Sequence, residues 1–380
     1  MPASAAPIPP THHGLGVTFL FHSSRSAARL LSMSILIALS VSCSDTKENT
    51  DPGGEARAAQ PDTPSVVSGD QEVAGQPAST AGPGDPSRAP NELGRIPVLE
   101  YHLIGDEEGR WQRSHARFRQ DLELLYSRGY RPVTISQILD RDLNLPAGLS
   151  PVALVFDDAS PSQFRYIERN GRLEIDPNTA VGILTEFNSR HPDWSNSAVF
   201  CTLSGAEAGR TLFGDKGIEG QKSEWRFPKL RYLAERGFEL CNHTLWHANL
   251  GKYDDAFVQE QIARGVMAID SAVPGYKVRA FALPLGVWPK NGALAQRGSW
   301  RDPKSGRVVT YDFDAILEVA GGPTRSPYDP KFNPLSITRV QVYAEELERT
   351  LDLLDRPGAS ARFVSDGVSN KVARPEGATP

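Results

Sequence analysis

The stretch that most constrains this chain is Val152-Ala-Leu-Val-Phe-Asp-Asp-Ala-Ser160, where five apolar residues run directly into two adjacent carboxylates. A short uninterrupted apolar run reads as a strand buried on both faces, the pattern of a parallel sheet. Asp157 and Asp158 then stand at its C-terminal end, the edge on which (β/α) barrels collect their chemistry. A second run, Phe238-Glu-Leu-Cys-Asn-His-Thr-Leu-Trp-His247, delivers two histidines four residues apart. Imidazoles so spaced form a chelating pair for a transition metal, and a carboxylate beside them completes the composition of a catalytic site. Alone, an aspartate after a strand reads as the cap of the next helix. The four residues together, each at a strand end, point to one metal centre.

The rest of the chain repeats the same alternation. Ile96 to His102 reads as a first strand, and Ser114 to Arg128 as a helix closed by Gly129. Arg131 to Ile135 reads as a short strand and Ser136 to Asp140 as a small helix. Beyond the aspartate strand, helices are expected over 177–189, 225–236, 254–273 and 344–354. Strands are expected over 198–202, 278–286, 313–319 and 335–342, and residues 205–223 read as a Gly-rich loop. Strand and helix in this order, over some 270 residues, predict an irregular α/β barrel of about seven strands.

The 380 residues carry a net charge of −5 with no cluster of Lys and Arg, which gives no footprint for nucleic acid. Arg25 and Arg29 precede an apolar run from Leu30 to Val41 that ends at Ser42-Cys43, the marks of a secretory signal. A cysteine directly after such a run looks like that of a bacterial lipoprotein, although Ser40 stands where that pattern usually has Leu. Residues 1–43 are therefore expected to direct export, with membrane contact only through an N-terminal lipid or anchor. Residues 44–93, rich in Pro, Gly and Ala, read as a disordered tether. Residues 94–365 form the expected domain and 366–380 a tail without pattern. Cys201 and Cys241 both close apolar runs, and buried unpaired thiols are the expected outcome, a disulfide the alternative.

Val155-Phe-Asp-Asp158 resembles the Thr-Phe-Asp-Asp motif of the polysaccharide deacetylases, the NodB-homology group or carbohydrate esterase family 4. His243-Thr-Leu-Trp-His247 fits their His-Ser/Thr-x-x-His motif, including the preceding Asn242. Pro97-Val-Leu-Glu-Tyr-His102, the stretch from Phe118 to Thr134 and Phe281-Ala-Leu-Pro-Leu-Gly286 resemble the exopolysaccharide or poly-N-acetylglucosamine branch of that family. The resemblance spans roughly Ile96 to Val342. Three departures stand out. Ala159 replaces the glycine after the aspartates, and Ala282 replaces the arginine that orients the catalytic base in many members. No histidine follows His247; Ile337-Thr-Arg-Val340 occupies the place of the late histidine motif.

The resemblance implies a metal-dependent N-deacetylase acting on an acetylated extracytoplasmic polysaccharide. Asp158, His243 and His247 would bind one divalent metal, zinc by ligand type, with iron, cobalt or nickel also satisfied by this set. Asp157 would act as general base and the Leu285 N–H as an oxyanion donor. His102, at the first strand end, is the candidate general acid in place of the missing histidine. Trp246 and Trp288 are candidates for stacking on sugars. His12, His13, His22, His115 and His191 read as surface or signal residues. Two alternatives remain open: a catalytically inactive glycan-binding protein on the same scaffold, and an O-acetyl esterase.

Overall fold

The computed structural model describes residue 85 and residues 87–205, 211–358, 361–369 and 371–374. The expected signal segment with Cys43, nearly all of the tether, and residues 375–380 lie outside the described residues. Seven strands, all parallel, close into a barrel: β1 (Val98–Tyr101), β2 (Ser150–Asp157), β3 (Val199–Thr202), β4 (Glu239–Asn242), β5 (Ala280–Ala282), β6 (Ala315–Gly321) and β7 (Ile337–Gln341). The ring runs β1-β7-β6-β5-β4-β3-β2 and returns to β1 through the β1–β2 pairing. The expected seven-stranded α/β barrel is therefore the fold.

The period of two along a parallel strand decides what fills this barrel. On β2, Ala153 and Val155 point inward while Val152, Leu154 and Phe156 pack outward under the helices. The inner layer is built from small residues, among them Val98, Val199, Cys201, Cys241, Ala280, Ala282 and Ala315, because seven strands enclose little volume. Continuing the same inward alternation to the C-terminal rim brings up Glu100 on β1, His102 just after it, Asp157 on β2, His243 after β4 and Arg339 on β7. Four of the seven strands thus aim polar side chains at the mouth.

Helices α1 (His115–Ser127), α2 (Ile135–Asp140), α3 (Ala180–Arg190), α4 (Arg226–Glu235), α5 (Asp255–Ala272), α6 (Ala293–Gln296) and α7 (Glu346–Leu354) complete the fold. Their starts follow capping chemistry: Ser114, Thr134, Thr179 and Asp254 accept from backbone N–H groups at α1, α2, α3 and α5. Among the described residues, no helix is long and apolar enough to cross a membrane.

Several expectations are corrected. The strand expected over 131–135 is Tyr130–Pro132, which pairs only with β2 outside the closed ring; Thr134 then caps α2 with a reciprocal Gln137 bond. The strand expected to reach Gly286 stops at Ala282, because Pro284 opens a turn that ends at Gly286. Cys201 and Cys241 are buried as expected but form a disulfide: they are register partners on β3 and β4, with Cα atoms 4.1 Å apart. Two hairpins went unread in the sequence, Tyr166–Arg169 with Arg172–Ile175 and Arg297–Arg301 with Val308–Asp312. Near the chain ends, the backbone of Glu92 bonds that of Ala373, and Phe363 is buried in the inner layer.

Candidate active site

Strand β2 ends at Asp157, and Asp158 follows with φ 81°, so its carboxylate turns back over the mouth instead of pointing away from its neighbour. Simple strand alternation would send the two side chains to opposite faces; the left-handed turn brings both to the site. Backbone in this region is costly for a residue with a side chain and persists where surrounding contacts enforce it. Here Gln163 enforces it, donating its amide to the carbonyls of Asp157 and His102.

The histidine loop is held as firmly. The amide oxygen of Asn242 accepts from the Thr244 N–H (2.8 Å) and its NH2 donates to the Ile262 carbonyl on α5 (2.9 Å). Gly265 makes room for this, since a Cβ there would lie 2.2 Å from Asn242 Oδ1. Thr244 and His247 both take positive φ, and the Thr244 hydroxyl accepts from the His247 N–H at 3.1 Å. The loop therefore folds so that both imidazoles face Asp158.

Nε2 of His243 lies 3.6 Å and Nε2 of His247 3.7 Å from Asp158 Oδ1. Two metal–ligand bonds of about 2.1 Å at a tetrahedral angle separate their ligand atoms by about 3.4 Å. The three groups thus fit one cation with modest tightening. His243 Nδ1 lies 2.9 Å from the Ala282 carbonyl, which fixes the tautomer with Nδ1 protonated and leaves Nε2 as the ligand atom. That Nε2 is buried without a hydrogen-bond partner, as expected of an atom reserved for a metal. Burial, with the neighbouring His243, pushes His247 down to about 4, so it stays neutral and ready to ligate at neutral pH.

Asp157 is buried beside this set, its Oδ2 3.9 Å from His243 Nε2. Arg339 of β7, fully buried, grips it through two parallel bonds of 3.0 and 2.9 Å. Burial alone would raise the Asp157 carboxyl; the guanidinium of Arg339, aided by His243, instead holds it well below the usual carboxylate range. Position 282 is alanine, and Asp157 is thus held by an arginine from another strand. This is the functional residue that the sequence reading passed over, although Ile337-Thr-Arg-Val340 had been singled out as the oddity. A register shift in β6 between Leu317 and Gly321 accommodates it, and the Glu318 carbonyl accepts from Arg339 Nε.

Glu100 Oε1 lies 3.5 Å from Arg339 and 3.5 Å from His102 Nε2. Burial, added to by the charges of Asp157 and Asp158 and opposed by Arg339, pushes Glu100 up to about 8. Glu100, His102 and Asp157 also converge as a potential ligand set. Arg339 already sits against two of the three, and a second cation would be repelled. His102 packs edge-on against Trp111, ring centroids 4.8 Å apart, and burial pushes its pKa below the usual imidazole value. Leu285, φ 58° and 56% exposed, forms the tip of the Pro284–Gly286 turn. One cavity of about 310 Å3 is lined by His102, Trp111, Asp157, Asp158, His243, His247 and Leu285 among others. All six candidate residues from the sequence therefore meet in one cleft. His115 and His191 do not: the first lies beside exposed Asp106, the second between Tyr126 and Phe187.

A parallel α/β barrel whose mouth brings Asp158, His243 and His247 together as a possible ligand set, beside an arginine-held aspartate, has the arrangement of a hydrolase site. Residues 198–297, which contain His243 and His247, match the polysaccharide deacetylase family model. A chitooligosaccharide deacetylase of Bradyrhizobium sp. (strain ANU 289) is 29% identical over 100 residues, 23% of this chain and 46% of that relative, so the chain spans less than half the relative's length. Among solved structures, the deacetylase PplD of Streptococcus pyogenes, in complex with acetate, aligns at 17% identity over 68% of this chain and 97% of that one, with a TM-score of 0.48. IcaB from Ammonifex degensii aligns at 18% identity over 68% and 96%, with a TM-score of 0.45.

Proposed function

We propose that this protein is a metal-dependent hydrolase that removes N-acetyl groups from an N-acetylhexosamine polymer outside the cytoplasm, an exopolysaccharide or a peptidoglycan glycan. The observation that carries the reading is the convergence of Asp158, His243 and His247 beside an Asp157 that Arg339 keeps ionised. Asp158, His243 and His247 would hold one divalent cation, zinc first by ligand type. When bound, such a cation polarises the acetyl carbonyl and lowers the pKa of water. Asp157 takes the proton of the attacking water, and its bidentate pairing with Arg339 fixes which oxygens face the cleft. The Leu285 N–H, on the turn beside the cavity, donates to the carbonyl oxygen as negative charge develops there. His102 gives the leaving amine its proton as the C–N bond breaks. Its lowered pKa, set by burial, makes the imidazolium a stronger donor, and the charges of Asp157 and Asp158 favour the protonated form.

The inactive, glycan-binding alternative drew on the missing motif arginine and the missing late histidine. Arg339 supplies the first and His102 stands where the second is needed, which favours turnover. An acetyl ester would be cleaved by the same groups. The signal-like segment over residues 1–43 supports export, with Cys43 as the site of a lipid anchor.

The test is metal content and acetate release by the protein lacking residues 1–43, beside an Asp158→Ala variant. Acetylated glucosamine oligomers, peptidoglycan and acetyl-xylan serve as substrates. The expected outcome is about one metal per chain in the native protein, with acetate released only by it and chiefly from an amide-linked substrate. Metal without acetate from any substrate would sink the enzymatic reading, and acetate from acetyl-xylan alone would shift it to an esterase.

A further inference from the structure

The rim of the cleft carries aromatic surface that the hydrolytic step does not use. Trp246 sits between the two ligand histidines and is 50% exposed. Its backbone is nonetheless fixed: the Trp246 N–H donates to Oε1 of the buried Gln261 (3.1 Å), and the Leu245 N–H to the Gln261 carbonyl (3.0 Å). Phe257 packs beside the indole, with ring centroids 5.9 Å apart, and Tyr253 stacks on Phe257 at 4.1 Å and 27° while remaining 44% exposed. The three rings make a continuous strip from the histidine loop onto the first turn of α5. Across the mouth stands Trp111, 45% exposed. Arg110 braces it, the guanidinium lying 5.1 Å from the Trp111 ring and 5.0 Å from that of Tyr343.

Barrel topology sets these two aromatic groups on opposite sides. Trp111 follows β1 and Trp246 follows β4; the strands between them are β2 and β3 one way, β7, β6 and β5 the other. Single exposed aromatics are ordinary, but fixed rings flanking a cleft on both sides form a binding surface. The cavity itself, about 310 Å3, lies at the small end of the roughly 300–1,000 Å3 range of ligand pockets. It has room for one acetylated sugar, so the neighbours of that sugar in a polymer must rest on the rim.

We propose that Trp246, Phe257 and Tyr253 on one side and Trp111 on the other are stacking surfaces for the sugars flanking the unit in the cleft. The protein then acts on internal units of an N-acetylhexosamine chain. The inference rests on the deacetylase reading and extends it from one sugar to a run of at least three. Pyranose rings with equatorial substituents present flat C–H faces, which suit rigid aromatic rings that lose little entropy on contact.

The experiment measures calorimetric binding of N-acetylglucosamine and of its β-1,4- and β-1,6-linked hexamers to the zinc-loaded protein. The native chain is compared with the Trp246→Ala, Tyr253→Ala and Trp111→Ala variants, with metal content recorded for each. Mass spectrometry locates the deacetylated unit. For at least one linkage the hexamer is expected to bind the native protein about 10-fold or more tighter than the monosaccharide. Each substitution should remove about 3- to 10-fold of that advantage. Deacetylation is expected at internal units. A hexamer bound no better than the monosaccharide, variants that keep the full advantage, or deacetylation confined to a chain end overturns the proposal. So does a loss that affects monosaccharide and hexamer equally and follows metal content, since the rings then only support the histidine loop. Tyr253, exposed just before α5 and outside that loop, keeps the test decisive if Trp246→Ala fails to fold. Hexamer binding that depends on the rings, without acetate release by the native protein, refutes the deacetylase reading while leaving the flanking subsites in place.

Discussion

Arg339 in the barrel mouth and Lys229 on α4 are both fully buried cations, and their surroundings differ. Arg339 meets two carboxylates, Asp157 at 2.9 Å and Glu100 at 3.5 Å. Lys229 has neutral partners only: its ammonium donates to the Phe213 carbonyl (2.6 Å) and to Gln221 Oε1 (2.7 Å), with Phe164 and Tyr166 nearby. Burial, reinforced by Arg165, pushes Lys229 down to about 7. A buried charge with matched counter-charges stays charged; one surrounded by dipoles surrenders its proton. The proposed reaction calls for the first arrangement, because a general base must be ionised. Lys229 can serve as a polar pin between a loop and α4 in either state.

This contrast can be broken most forcefully at Arg339. Arg339→Met leaves Asp157 buried without its counter-ion and is expected to destabilise the fold by about 3–5 kcal/mol, read from the urea midpoint. Arg339→Lys should recover only part of this, because one ammonium cannot reproduce the paired bonds. A Met variant as stable as the native protein would show that the pairing was not holding Asp157.

The Lys229 side of the contrast appears in the pH dependence. With a folded value of about 7 against an ordinary 10.5, the unfolded chain binds the extra proton between those limits. Stability should therefore rise with pH across that window by a few kcal/mol, and the full penalty of burying the ammonium applies below it. Thermal unfolding from pH 6 to 10 should show this rise in the native protein and lose it in Lys229→Met. An identical profile in both would place the slope elsewhere.

The smallest effect is expected at Glu100. Because burial pushes it up to about 8, its carboxyl is largely neutral at pH 7 in the metal-free protein. Glu100→Gln, measured after chelation, should change stability by no more than about 1 kcal/mol. A loss as large as that of Arg339→Met would mean that both carboxylates, and not Asp157 alone, balance the guanidinium.

The sequence revealed those parts of the molecule that depend on local pattern. Uninterrupted apolar runs such as Val152–Phe156 announced the barrel strands, and the spacing of His243 and His247 announced the chelate. Residues whose meaning depends on distant register stayed hidden. Arg339 looks like an ordinary polar residue in a short strand until β7 lies beside β1 and its side chain turns inward. Cys201 and Cys241, separated by 40 residues, become partners only because β3 and β4 pair in that register. The hairpin at Arg297–Asp312 alternates exposed with covered residues over five-residue strands, and its covered Val309 and Tyr311 are too few to signal a strand pair. The left-handed conformation of Asp158 has no signature in a residue that usually avoids it.

The ring closes where its first and last strands meet, β7 against β1. Asp157 and the three ligand residues are all synthesised before residue 248, whereas the guanidinium that orders Asp157 arrives about ninety residues later, on the strand that seals the barrel. On the function proposed above, a growing or partly threaded chain would therefore carry its candidate ligand residues without an ordered Asp157. Catalytic competence would then report completed assembly, withheld until both ends of the domain have come together.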